Sequence, residues 1–317
     1  MGRYIIRRLL LMIPLVIGVS ALSYAVIIFA PGDPATLLVD REQMTAETYT
    51  AMRIELGLDD PAPVRYVKTM RSLFTGELRS FRTKQRVVDA IGERVPTTLV
   101  IGVLAIIFGL VFGTLIGVVQ ATRPYSRLDD LGTLVSLTGF SIPHFWFALM
   151  LIMLFGVRLH WLPPSGIRPI GSSDWNPIAM APYLVMPTVV LGTGLLAYVA
   201  RFVRSSMLEA LNQDYIRTAR AKGLRERTVV LRHALRNSLL PVITIAGFIL
   251  PLLIGGAVIV ENVFALPGMG RLAVDAVFAR DYPVILTVTI FSAIAVIVGN
   301  LVSDILYAVA DPRIRYG

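Results

Sequence analysis

Six apolar runs organise the chain, at about residues 9–30, 97–121, 131–157, 182–203, 238–260 and 284–306. Each is near the ~20 residues an α-helix needs to cross a hydrocarbon core about 30 Å thick. The pattern predicts an all-α membrane protein with six transmembrane helices. Residues 31–96 form a long polar segment with ten basic and ten acidic side chains. Within it Tyr49, Met52 and Leu56 share one helical face closed by Gly57, while Val64, Val67, Met70 and Phe74 share another closed by Gly76. Val87, Val88, Ile91 and Val95 add an amphipathic helix expected to lie along the membrane interface before the second run. The expected division is a first span with its leader (1–30), a small helical extracytoplasmic insertion (31–96) and a five-helix core (97–317).

Arg3, Arg7 and Arg8 precede the first run, as they would a secretory signal. A signal core has about 7–15 apolar residues and a small-residue cleavage site. Here the run is longer and ends at Pro31-Gly32-Asp33-Pro34, so a retained span is expected. Counted over the termini and short loops of alternate parity, one side of the membrane carries 16 Arg and Lys and the other four. The excess predicts cytoplasmic N- and C-termini in the cell (inner or plasma) membrane, with 31–96 outside.

Composition agrees: of 317 residues 55% are hydrophobic and 16% charged, with a mean hydropathy of +0.70. Soluble domains carry about 25% charged residues. The net charge of +9 would suit nucleic acid, but its concentration in alternate loops argues for membrane orientation and no nucleic-acid partner. Cysteine is absent and His144, His160 and His233 are scattered, so no thiolate or histidine metal site is expected. No phosphate-binding Gly-x-x-x-x-Gly-Lys-Ser/Thr, nucleophile elbow or zinc motif occurs, and no enzyme is expected. The spans hold almost no ionisable residue besides His144 and Asp304, which counts against proton or sodium coupling.

Gly109, Gly113 and Gly117 repeat at four-residue spacing, a pattern that lets helix backbones approach closely. Pro251, Gly255 and Gly256 could kink the fifth span and serve as a gate. The stretch 201–237 is the most basic, with nine Arg and Lys against Glu209, Asp214 and Glu226. Tyr215 to Lys222 reads as a short helix with Asp214 as N-cap and Gly223 as the left-handed C′ residue. A second helix follows, with Arg225, Arg232 and Arg236 near one face and Leu231, Leu235 and Leu239 on another.

Thr218-Ala219-Arg220-Ala221-Lys222-Gly223 resembles the cytoplasmic EAA loop of ABC-type permeases, the membrane subunits of binding-protein-dependent importers. The wider family pattern places Leu-Pro thirteen residues after the glycine, where this chain has Leu235-Arg236, and Pro241 follows later. That departure, the missing acid before Thr218-Ala219, and His233-Ala234-Leu235-Arg236-Asn237 resemble the dipeptide/oligopeptide branch. So do Ser141-Ile142-Pro143, Trp161 to Gly166, Glu261 to Phe264, Pro267 to Arg271 and Asp311 to Tyr316. Pro31-Gly32-Asp33-Pro34 resembles the first permease of such systems.

The resemblance implies a heterodimer with a second permease, two cytoplasmic ATPases that bind the ATP and Mg, and an extracytoplasmic solute-binding protein delivering di- or oligopeptides. It makes 201–237 the ATPase-coupling loop, with Asp214 to Gly223 as a coupling helix. Arg217, Arg220, Lys222 and Arg225 would make charged contacts there. Tyr215, Ile216, Ala219 and Ala221 would pack, beside Thr218. An ion-coupled secondary transporter or channel, and a non-transporting scaffold or receptor, stand as alternatives.

Overall fold

The computed structural model describes residues 2–29, 45–169, 171, 175–239 and 257–310. Among them the secondary structure is helical apart from one isolated bridge between Arg79 and Arg86. Among the described residues four helices are long and apolar enough to cross a membrane, and a bent pair makes a fifth if counted as one span. The chain is an all-α, multi-pass membrane protein. Its residues group into two compact units, Met1–Thr98 with Pro267–Val298 and Leu99–Leu266 with Gly299–Gly317.

The first unit contains α1 (Gly2–Phe29), α2 (Ala46–Glu55), α3 (Ala62–Phe74), the start of α4 (Val87–Thr122), α10 (Met269–Phe278) and the start of α11 (Tyr282–Ala310). α2 is closed at its N-terminus by a Thr45–Thr48 capping box. Gly57 and Gly76 end the turns after α2 and α3 with φ of +62° and +74°, a region open to glycine at little cost. α1 meets α3 through a 2.8 Å hydrogen bond between the Ser20 and Tyr66 hydroxyls, and the Tyr24 and Tyr66 rings lie 5.4 Å apart. Ile27 joins Leu286 and Ile290 of α11 in a buried cluster that Met70 and Leu73 flank.

One expectation changes in this unit. The amphipathic stretch before the second run is no separate interfacial helix but the first turns of α4, which runs through Pro96. Val87 and Ile91 are buried against Leu78, Met269 and Val284, so protein covers the apolar face assigned to the interface. Asp281, just before α11, spends its carboxylate on residues far from that helix in the chain. The Ser80 hydroxyl and the Phe81 and Arg82 amides donate to it, the amides at 3.0 and 3.4 Å. Both Asp281 and Ser80 are buried, so these bonds stand in for lost hydration.

The second unit is built on α7 (Pro177–Leu211). α5 (Arg127–Ser141), α6 (His144–Leu151) with its π-helical continuation Ile152–Arg158, and the part of α4 from Leu99 belong to the same unit. The run at 131–157, expected as one span, is two arms bent by 107°. Pro143 supplies the reason. The α region is disfavoured for the residue before a proline, and here Ile142 leaves it, at φ −75°, ψ 124°. Each arm of about 15 residues rises about 22 Å, less than the ~30 Å hydrocarbon core.

Glycines set the helix contacts. A Cβ on Gly109 would stand 2.5 Å from Leu195 Cγ, one on Gly113 2.7 Å from the Leu196 carbonyl, and one on Gly117 2.7 Å from the Ala200 carbonyl. All three face α7. The fifth apolar run lies mostly outside the described residues, and so do Pro251, Gly255 and Gly256.

Candidate functional site

The basic stretch folds at the end of α7. That helix stops at Asn212, and after Gln213 the chain enters α8 (Asp214–Ala221). Gln213 holds the N-cap position without a side-chain cap bond, so Asp214 is the first helical residue and not the cap. There its charge still faces the positive end of the helix dipole.

The C-terminus forms as expected, with Gly223 at φ +74°. The Gly223 amide donates to the Arg220 carbonyl at 2.9 Å and the Leu224 amide to the Ala219 carbonyl at 3.4 Å. This is the paired closure of a Schellman turn. Nothing lies within 4 Å of a Cβ placed on Gly223, so backbone conformation alone is what asks for glycine.

Ile216 and Ala219, one turn apart, are buried in a cluster with Met207 and Ala210 of α7. Val229, Val230 and Ala234 of the following helix belong to it too. These two residues, expected among the docking contacts, therefore hold α8 to its own chain. Asp214, Tyr215, Arg217, Thr218, Ala221, Lys222, Gly223 and Arg225 are exposed. Arg217 and Asp214 make a 3.4 Å pair with both side chains largely in solvent, a geometry that contributes little.

Arg220 is engaged. Its Nη2 and Nε reach the two Glu226 oxygens at 2.7 and 3.2 Å across the Gly223 turn. The Arg220 hydrogen bond holds the Glu226 carboxyl below its ordinary range, and the same bond raises the Arg220 guanidinium. The pair ties α8 to α9, the helix of residues 226–238.

α9 departs from expectation. Residues Val229–Ala234 form π-helical turns, whose wider winding shifts the faces on either side. The inward residues are Val229, Val230, Ala234 and Ser238, whereas Leu231 is exposed. The apolar Leu231, Leu235, Leu239 face does not form as a unit.

A second polar cluster sits where α5 begins. Asp129 receives Arg204 Nε and Nη2, both at 2.7 Å, and the Tyr125 amide at 3.0 Å. Gln120 Nε2 donates to the Asp129 carbonyl at 3.1 Å. This clasp ties α4, α5 and α7 together within the second unit. In the sequence Arg204 is one of nine basic residues in 201–237 and carries no mark of its own. The overlooked signal was Asp129, an acid at the start of an apolar run.

The family whose description is "Binding-protein-dependent transport system inner membrane component" matches residues 109–316, and its N-terminal companion matches residues 1–102. The chain belongs to this family. It is a permease component of an ABC-type importer and a non-catalytic one, with ATP hydrolysis expected from separate subunits. The oligopeptide transport system permease protein AppB of Bacillus subtilis (strain 168) is 44% identical to this permease, with 100% of both chains covered. The dipeptide transport system permease protein DppB of Escherichia coli (strain K12) is 38% identical, covering 100% of this chain and 99% of its own. An inward-facing structure of the MetNI methionine ABC transporter shares the fold, at TM-score 0.57 and 21% identity over 71% of this chain and 97% of that one.

Proposed function

We propose that this permease pairs with a related second permease to form the membrane pathway for di- and oligopeptides. A solute-binding protein delivers the cargo outside, and two ATPases act inside. The carrying observation is the full-length similarity to permeases named for oligopeptide, di/tripeptide and dipeptide transport, at 38 to 44% identity. Six spans complete the bundle, the run at 238–260 providing the fifth, with both termini cytoplasmic and 31–96 outside. Pro251, Gly255 and Gly256 are the proposed gate in that fifth span.

α8 is the proposed ATPase-coupling element, its exposed Tyr215, Arg217, Thr218 and Ala221 offered to the partner with Lys222 and Arg225 just beyond its end. Burial of Ile216 and Ala219 supports a lever, since packed interiors transmit displacement and resist compression. Displacement of α8 moves α7, and the contacts at Gly109, Gly113 and Gly117 carry α4 with it. For ATP to drive the change it must bind one global state of the assembly better than the other.

The test is to tag this chain, solubilise it gently and identify what co-purifies. Two ATPases and a second multi-pass protein are expected, with ATP hydrolysis raised by a peptide-loaded binding protein. A chain that emerges alone, or with ion-driven uptake and no ATPase, contradicts the proposal.

A further inference from the structure

A cavity of about 290 Å³ opens within the first unit. Its apolar wall comes from Ile27 and Ile28 at the end of α1 and Leu286 near the start of α11. Both helices are candidate spans, and these residues sit at the ends of their apolar stretches. Tyr24 and Tyr282 also line it, and tyrosine favours the zone where hydrocarbon gives way to headgroups. The polar side of the lining includes Arg65 and Lys68 of α3, with Arg53 of α2 and Asp60 of the turn between them.

The charges on that side are not equally satisfied. Lys68 Nζ lies 2.6 Å from Asp60 Oδ2. Among the described residues Arg65 Nη1 donates to the Leu58 carbonyl, at 3.2 Å, and its buried Nε meets no hydrogen-bond partner. Among the described residues no carboxylate pairs with Arg65. A buried cationic donor left unmade is costly, so the site calls for an acceptor, and an anionic one best meets a guanidinium.

We infer that this cavity holds the headgroup of a membrane phospholipid, with its phosphate on Arg65 and Lys68. The glycerol and upper acyl carbons lie along Ile27, Ile28 and Leu286. A free phosphate or a peptide carboxylate supplies the charge but leaves the apolar wall uncovered. A lipid covers both, and its tails continue beside two spans. Basic pockets beside membrane helices bind headgroups on these terms. The lipid then fastens the insertion helix α3 to the ends of α1 and α11.

The experiment is native mass spectrometry of the purified transporter after detergent exchange, with phosphatidylglycerol titrated back. One tightly held lipid is expected on this subunit. Arg65→Gln should weaken its retention about tenfold, the scale of a lost charged hydrogen bond, whereas Arg65→Lys keeps most of it. Leu286→Trp, which fills the apolar side and spares Arg65, should displace the lipid too. Millimolar inorganic phosphate or a dipeptide should leave it in place. Three results would overturn the inference: no retained lipid, unchanged retention in both Arg65→Gln and Leu286→Trp, or displacement by phosphate or dipeptide, which would mark a site for soluble anions.

Discussion

Arg204 grips Asp129 with both arms of its guanidinium, each at 2.7 Å, although 75 residues separate them. The Asp129 side chain is 4% exposed, so removing one partner strands a charge where water cannot compensate. Arg204→Ala is expected to destabilise the permease by about 3–5 kcal/mol. The double replacement Arg204→Met with Asp129→Leu should cost much less, because no lone charge remains. Thermal melting of the purified single and double variants reads the difference.

Gly113 faces the Leu196 carbonyl of α7 at a distance no Cβ tolerates. Gly113→Leu forces the two helices apart, at a cost of at least the ~1–3 kcal/mol typical of overpacking. Gly102, with nothing within 4 Å of the same probe position, accepts Ala. Folded yield after membrane extraction should fall for Gly113→Leu and hold for Gly102→Ala.

Asp281 holds residues 80–82 by its carboxylate. Asp281→Ala frees two backbone amides and the Ser80 hydroxyl together. The Arg82 and Lys84 bonds should then become open to trypsin while the helices stay intact. Limited proteolysis of membranes, read by fragment mass, checks this. Unchanged protection would show that the carboxylate is dispensable to the loop.

Glu226 supplies the pH dependence of the α8–α9 junction. Its folded-state carboxyl is depressed, first by the Arg220 hydrogen bond, so the pair's contribution is complete above the ordinary glutamate range, about 4.3. It is lost only as pH falls through the depressed folded value. Amide exchange at 220–226 should thus be no faster at mildly acidic pH than at neutral pH, apart from intrinsic rates. Glu226→Gln should speed it throughout.

Gly223 is the backbone test of the lever. A β-branched residue at φ +74° costs about 1–3 kcal/mol of strain and meets no neighbour. Gly223→Val should lower substrate-stimulated ATP hydrolysis and leave membrane insertion normal.

Much of this was legible because it is local. Run lengths locate α1, α4, α7 and α11, and the conformations of Gly57, Gly76 and Gly223 follow from their places after helical periods. What escaped is non-local or masked by averaging. Hydropathy summed over 131–157 hides the break that Pro143 imposes. No local pattern says that Asp281 serves residues 200 positions away instead of its own helix end. An eight-residue amphipathic helix shows which side is apolar, but not that Ile216 and Ala219 spend that side on their own chain. The π-helical turns of α9 rotate its faces, and no residue type announces them.

The most direct measurement is site-specific photo-cross-linking in the assembled transporter, with the probe at Thr218 on the open face of α8 or at Lys222, its C-cap. The account predicts adducts with the ATPase at both positions, changing in yield when ATP is bound, and none from Val277 on α10. Adducts with the ATPase from Val277, or their absence from Thr218 and Lys222 in an assembly that hydrolyses ATP normally, would contradict it.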